Sequence, residues 1–258
     1  MINRRDWMRL TGVGALTSLL TAKYSPQRAI AQTSSTGVNI QWLGHSCFLF
    51  TGNNLRVLSN PFEPIGCTAN YPAPRVSADA VMISSRMLDE GAAGGLPNNP
   101  QIMVESGVYE VGGIQFQGIR TFHDRQRGRR FGDNIVWRWN QGGVNILHLG
   151  GIASPIDVEQ RILMGSPDVA LIPIGGGPKN YNPQEAMDAI RVLRPKVVFP
   201  TQYLTSNADA SSCDLVPLEE FLTLARAEEL NISTITGNQT TIRPQDLPQR
   251  GTLIRVFS

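Results

Sequence analysis

Ser77 to Gly95, S-A-D-A-V-M-I-S-S-R-M-L-D-E-G-A-A-G-G, decides how the rest of the chain is read. Ala80-Val81-Met82-Ile83 is apolar without polar alternation, the pattern of a short strand covered on both faces. Behind it a polar turn, Ser84 to Glu90, would project into a cleft from the strand end, and the small glycine-rich segment after Asp89-Glu90 would open a helix. Those two carboxylates are expected to cap that helix, since acidic side chains accept backbone N–H bonds at its positive end.

Upstream of this stretch, Val38 to Leu43 alternates strictly and Ser46 to Phe50 is a second apolar run, followed by a Gly52-Asn53-Asn54 turn into Leu55 to Leu58. Such tight turns predict an antiparallel start to the first sheet. Ser59 to Arg75 holds four prolines and interrupts regular structure. Downstream, strands are predicted at Ile102 to Val104, Val108 to Val111, Ile114 to Phe122, Asn134 to Trp139 and Val144 to Leu149. Helices should begin at Ser154-Pro155, Asn182-Pro183 and Val216-Pro217, with strands at Val169 to Ile174 and Val197 to Phe199 between them. Ile232 to Thr236, Thr240 to Arg243 and Thr252 to Phe257 close the chain. Hairpins followed by βα units fit two packed sheets flanked by helices better than one doubly wound sheet.

The first 31 residues read as a separate module. Asn3-Arg4-Arg5-Asp6-Trp7-Met8 is a twin-arginine head, Leu10 to Ala22 is moderately apolar, and Ala29-Ile30-Ala31 is a small-x-small cleavage site that would leave Gln32 first. The apolar stretch is shorter than the roughly 20 residues of a bilayer span, so no permanent membrane span is expected after cleavage. Residues 1–31 carry five positive charges and one negative, so the formal +2 of the chain becomes −2 without them. The basic balance therefore belongs to the leader and gives no reason to expect nucleic-acid binding. Residues 32–258 make one domain, with 41% hydrophobic and 17% charged residues in the whole chain, enough to bury one substantial core. Three cysteines in a compartment that permits disulfides allow one bridge and one thiol, with Cys47, in a core strand, expected to be the buried thiol.

Seven pieces then occur in order: Trp42-Leu43-Gly44-His45-Ser46-Cys47-Phe48, Asn60-Pro61-Phe62, the strand into Asp89, His123-Asp124, His148-Leu149-Gly150-Gly151, Ile172-Pro173-Ile174-Gly175-Gly176 and Pro200-Thr201-Gln202-Tyr203. This series resembles the metallo-β-lactamase-fold hydrolases, in their ascorbate-6-phosphate-lactonase-like branch and most closely its cyanobacterial members. The resemblance implies an α+β fold, the four-layer αβ/βα sandwich, with a metal site at the edge between the sheets. It also implies a hydroxide held by one or two metal ions that attacks an ester, lactone, amide or phosphodiester.

The metal ligands that the resemblance implies are mostly missing. Where the family carries H-x-H-x-D-H, this chain has Ser85, Met87, Asp89 and Glu90; the bridging aspartate is Gly151 and the C-terminal ligand histidine is Gln202. The aspartate of the family's D-P-F turn is Asn60. Only Asp89 and His123 stand unchanged, while His45 and His148 belong to the pattern without being assigned as ligands. Serine, glycine, methionine and glutamine are poor substitutes for zinc-binding imidazoles, so the standard dinuclear site is not expected.

Three functional readings follow. The leading one is an exported protein that has lost dimetal hydrolysis, needs no cofactor and serves as a binding or assembly factor for another protein, in the periplasm or, in a photosynthetic source, the thylakoid lumen. The second is a mononuclear hydrolase of phosphoesters or lactones holding one Mn, Mg or Zn ion on Asp89, Glu90 and His123, with Asp124 orienting His123 for metal binding or general-base work. The third is an anion or small-molecule binder in which Arg86, Arg125, Arg127, Arg129 and Arg130 ring the cleft. Ser84-Ser85 sits at a strand end as a nucleophile would, but no base lies near it in sequence. Gly175-Gly176-Gly177 lacks the lysine and serine of a phosphate-binding P-loop.

Overall fold

The computed structural model describes residues 36–209 and 211–258. The predicted twin-arginine leader lies outside the described residues. Three hairpin-linked strands, β1 (Val38–Gly44), β2 (Cys47–Gly52) and β3 (Leu55–Ser59), pair antiparallel, as the turn at Asn53-Asn54 requires. β4 (Ala80–Met82) and β5 (Gln101–Met103) add to them in parallel. The second sheet starts with the antiparallel meander β6 (Gly107–Val111), β7 (Ile114–Phe122), β8 (Asp133–Gln141) and β9 (Val144–His148). It continues in parallel through α1 (Val158–Met164), β10 (Val169–Pro173), α2 (Pro183–Leu193), β11 (Val197–Thr201), α3 (Leu218–Ala227) and β12 (Asn231–Ile235). β13 (Gln239–Ile242) crosses back to the first sheet, and β14 (Leu253–Phe257) inserts between β11 and β12.

Period-two alternation places the core. Ile135, Trp137 and Trp139 of β8 face the first sheet and meet Phe48, Phe50 and Met82, while Val136 between them faces the helices. Along β10, Val169 and Leu171 likewise point between the sheets, and Ala170 and Ile172 point to α2 and α3, which cover them with Met187, Ile190, Phe221 and Ala225. Trp137 is fully buried, and truncating it to alanine would cost about 3–5 kcal/mol.

The predicted sandwich is present, with one difference in its outer layers. Among the described residues the α-helices all belong to the second-sheet side, and the outer face of the first sheet is covered by irregular chain through Phe62, Tyr71, Ala78 and Leu96. Prolines at positions 61, 64, 72, 74, 97 and 100 deny that stretch a helix. The helix expected after Asp89-Glu90 is absent as well, since Gly91, Gly94 and Gly95 make up half of the six residues before Pro97. The helix expected from Ser154-Pro155 starts later, where Asp157 accepts the Gln160 N–H at 2.8 Å and Gln160 Oε1 accepts the Asp157 N–H. Among the described residues no helix is long and apolar enough to cross a membrane.

Cys67 and Cys213 form a disulfide across 146 residues, and Cys47 is the buried free thiol, in line with one bridge and one core cysteine.

Candidate functional site

Four strand ends meet at one edge of the sandwich. The segment leaving β4 is fixed by Trp137 Nε1–H donating to the Ile83 carbonyl (3.1 Å), by Ile135 N–H donating to the Ser84 carbonyl (2.8 Å) and by Asn60 Oδ1 accepting the Ser84 N–H (2.9 Å). From there a turn closed by Glu90 N–H on the Met87 carbonyl carries Glu90 inward. β7 leads to His123, β9 to Gly151 and β11 to Gln202, so all three reach the same centre.

At that centre His123 Nε2 lies 2.5 Å from Glu90 Oε1, and both side chains are 1% exposed. His123 Nδ1 is 3.0 Å from the Lys179 carbonyl, which can only accept, so Nδ1 carries a proton. A second proton must lie between Nε2 and Oε1 at such a separation, and because His123 is raised above 6.5 while Glu90 is held below the usual carboxylate range, it belongs to the imidazole, giving an imidazolium and a carboxylate. The contact is an ion pair rather than an aligned hydrogen bond, because Nε2 has no partner of hydrogen-bond geometry. Ser85 Oγ donates to Glu90 Oε1 (3.1 Å) and Gln202 Nε2 reaches Oε2 at 3.5 Å. Lys179 Nζ stands 2.5 Å from Asp89 Oδ2 at the mouth.

Charges at the centre hold each other ionised. Burial alone would raise the Glu90 carboxyl, but the His123 imidazolium beside it and Lys179 beyond outweigh burial and hold it well below the usual carboxylate range. Burial would lower His123, and Glu90 reverses this to leave it above its ordinary 6.5. His148 differs: its Nε2–H donates to the Ser46 carbonyl (3.0 Å), its Nδ1 accepts the Gly150 N–H (3.0 Å), and burial pulls it down to about 4. Both of its nitrogens are engaged, so it is a neutral core histidine. His45, 5% exposed and with a left-handed backbone (φ 52°), is also lowered by burial, against the pull of Asp89 and Glu90.

Several expectations are corrected by these contacts. Asp89 and Glu90 cap no helix; one pairs with Lys179 and the other with His123. Asp124 does not orient His123. Its carboxylate instead accepts four backbone N–H bonds, from Gln126, Gly128, Arg130 and Phe131 at 2.7–2.9 Å, and organises the arginine-rich loop. The arginines do not ring the centre: Arg86 pairs with Glu105 and Arg125 with Glu185, Arg127 and Arg129 are exposed, and Arg130 stacks its guanidinium on Phe131. Ser85 does find a carboxylate, but one held that far down is a poor proton acceptor.

Gly151 explains how Glu90 and His123 meet. A Cβ on this glycine would fall 2.2 Å from His123 Cε1 and 2.7 Å from Glu90 Oε1. The aspartate that the resemblance implies at this position has no room beside the pair.

The donors do not fit a metal ion. Ligand atoms around one ion stand about 3 Å or more apart, each roughly 2.0–2.2 Å from it; here nitrogen and carboxylate oxygen touch each other, and an ammonium lies alongside. Met87 and Ser85 offer no imidazole, and Gln202 directs its amide nitrogen to Glu90. One buried atom with lone pairs, Gln202 Oε1, does lack a hydrogen-bond partner. Still, no three His, Cys, Asp or Glu side chains among the described residues converge as a ligand set.

Lys179 is the site residue that sequence reasoning missed. The signal was a lysine two residues beyond the glycine run 175–177, a run tested only against the P-loop pattern. Outside the ion pairs lies a cleft of about 570 Å³, lined by Ile65, Asp89, Arg130, Lys179, Asp214 and the Cys67–Cys213 bridge.

The family described as the β-lactamase superfamily domain matches residues 39–202. A Methanoculleus marisnigri protein named a metal-dependent hydrolase is 26% identical over 222 residues, 78% of this chain and 95% of its own length. A Thermococcus onnurineus protein of the same name is 28% identical over 193 residues, 65% of this chain and 85% of its own. Among solved structures, a Thermotoga maritima protein of the metallo-β-lactamase superfamily superposes with a TM-score of 0.68 at 26% identity, covering 86% of this chain and all of the other.

Proposed function

Because the chain belongs to the β-lactamase superfamily domain family, we propose that it is a member without the hydrolytic metal centre, an exported protein that works by binding, as a partner or assembly factor for another protein. The observation that carries this reading is the buried Glu90–His123 ion pair at 2.5 Å. Two of the positions that should grip metal neutralise each other, and Gly151 gives them the space to do so. Water activation by a metal needs an open coordination position and deprotonated, converging ligands. An imidazolium sealed against a carboxylate supplies neither.

Binding remains open to the scaffold. The cleft above the ion pairs carries charges of both signs from Asp89, Arg130, Lys179 and Asp214, with the exposed Ile65 on its rim, a mixture suited to a protein surface. The Cys67–Cys213 bridge supports an oxidising destination, periplasm or thylakoid lumen, as the leader suggests. Pairing of Arg86 and Arg125 with their own carboxylates argues against the anion-binding reading.

A second reading, a mononuclear metal-dependent hydrolase, draws on the names of the relatives and on Gln202 Oε1, buried without a hydrogen-bond partner at the centre. One experiment separates the two: metal analysis of protein purified through its own export route, with assays on generic lactones, esters and phosphodiesters. The binding reading expects metal well below one ion per chain and no turnover. One ion per chain, with hydrolysis lost in His123→Ala, would establish the hydrolase instead.

A further inference from the structure

Lys179 is engaged at both ends by the centre it overhangs. Its carbonyl accepts the His123 Nδ1–H at 3.0 Å, and its ammonium lies 2.5 Å from Asp89 Oδ2. The chain reaches this position through Gly176 and Gly177, both left-handed (φ +75° and +68°), which turn it back over the strand ends. Its side chain is three-quarters buried, at 24% exposure, as is that of Asp89 at 20%. Burial would discharge the ammonium, yet Asp89, Glu90 and Asp214 keep its pKa above the ordinary lysine value.

The charges at the centre account for this. Asp89 and Glu90 are two anions, His123 and Lys179 two cations, and His45 beside them is pushed toward neutrality by burial. Without Lys179 two carboxylates would face one imidazolium. No three of these side chains converge as a ligand set now, but with the ammonium gone Asp89, Glu90 and His123 could part from their present contacts, and their oxygen and imidazole donors are of the kind that suits a divalent ion. An ion and an ammonium cannot share that space, because like charges at a few ångströms in a poorly solvated cleft repel strongly.

We propose that the Lys179 ammonium is a built-in cation that takes the electrostatic place of a divalent metal and closes the centre to one. The inference rests on the metal-free reading of the site and adds the residue that enforces it. Lys179 acts here as a positioning residue, holding Asp89 by charge and His123 by its carbonyl.

The test compares thermal unfolding and metal content of the full exported chain and its Lys179→Met variant, in EDTA and in millimolar Mn²⁺ or Zn²⁺. Wild type is expected to melt at the same temperature in all three and to carry no stoichiometric ion. In EDTA the Lys179→Met protein should melt roughly 5–10 °C lower, since it leaves a carboxylate unpaired. It should recover in Mn²⁺ or Zn²⁺ and bind one ion per chain. Lys179→Arg should stay indifferent to metal. If Lys179→Met does not fold, the charge-balanced pair Lys179→Met with Asp89→Asn should fold, melt near wild type and ignore metal; failure of that pair to fold counts against the proposal. A Lys179→Met protein as stable as wild type in EDTA and unresponsive to metal overturns the inference while the binding reading stands. A stoichiometric ion in wild type overturns both.

Discussion

Gly151 and His123 approach so closely that a single added carbon on the glycine would overlap the imidazole, 2.2 Å from Cε1. The closed centre depends on that missing side chain. Gly151→Ala should therefore destabilise the fold by about 1–3 kcal/mol, the usual cost of overpacking a rigid core. Gly151→Asp should cost more, because a third carboxylate would then face Glu90. Urea unfolding of both variants measures this, and a Gly151→Asp protein as stable as wild type would show that the pair is easily displaced.

The Glu90–His123 pair should impose a bell on stability against pH. His123 titrates above its ordinary 6.5 when folded, so its contribution is complete below 6.5 and fades as pH rises through the folded value. Glu90 titrates below its ordinary 4.5, so its contribution is complete above 4.5 and fades as pH falls. His148, lowered to about 4, also removes stability as pH falls from 6.5 to 4, and so steepens the acid side and skews the bell in wild type. The difference between wild type and Glu90→Gln isolates it: about 3 kcal/mol between pH 4.5 and 6.5, smaller on either side. A difference independent of pH would mean that the pair is not charged.

Asp124 should govern the arginine-rich loop and leave the centre untouched. Asp124→Ala removes the acceptor of four backbone N–H groups between Gln126 and Phe131, so hydrogen exchange there should accelerate by at least tenfold, as for a stretch that opens locally. Exchange in β4 and β11 should not change. Unaltered protection of the loop would remove Asp124 from that role.

Thiol chemistry should count one accessible cysteine only after unfolding. Cys47 is fully buried, and burial raises its thiol well above the ordinary value, so native protein should not react with Ellman's reagent. Denatured protein should show one thiol, and denatured reduced protein three. Replacing Cys67 and Cys213 by serine should lower stability by about 3–5 kcal/mol, because the bridge closes a 146-residue loop. Two or more reactive thiols in the native state would contradict the pairing.

Strand positions were legible because local patterns set them: the alternation of Val38 to Leu43, the Asn53-Asn54 turn and the Asn182-Pro183 cap appear within a residue or two of their predicted places. The helix misplaced at Ser154-Pro155 shows the limit of that reading, since the capping partners Asp157 and Gln160 settle its start. The layer over the first sheet was harder still. Its prolines were visible, but their power to replace a helical layer by coil depends on which sheet face they cover.

What the chain determines by itself is the set of donors it lacks: Ser85, Met87, Gly151 and Gln202 cannot become histidine or aspartate in any fold. Tertiary structure alone decided what the remaining groups do. Glu90 and His123 are 33 positions apart and Asp89 and Lys179 are 90, so no local pattern could have paired them. Contacts of that span come from strand ends converging at one edge, and low-dielectric burial there turns four separate side chains into two ion pairs.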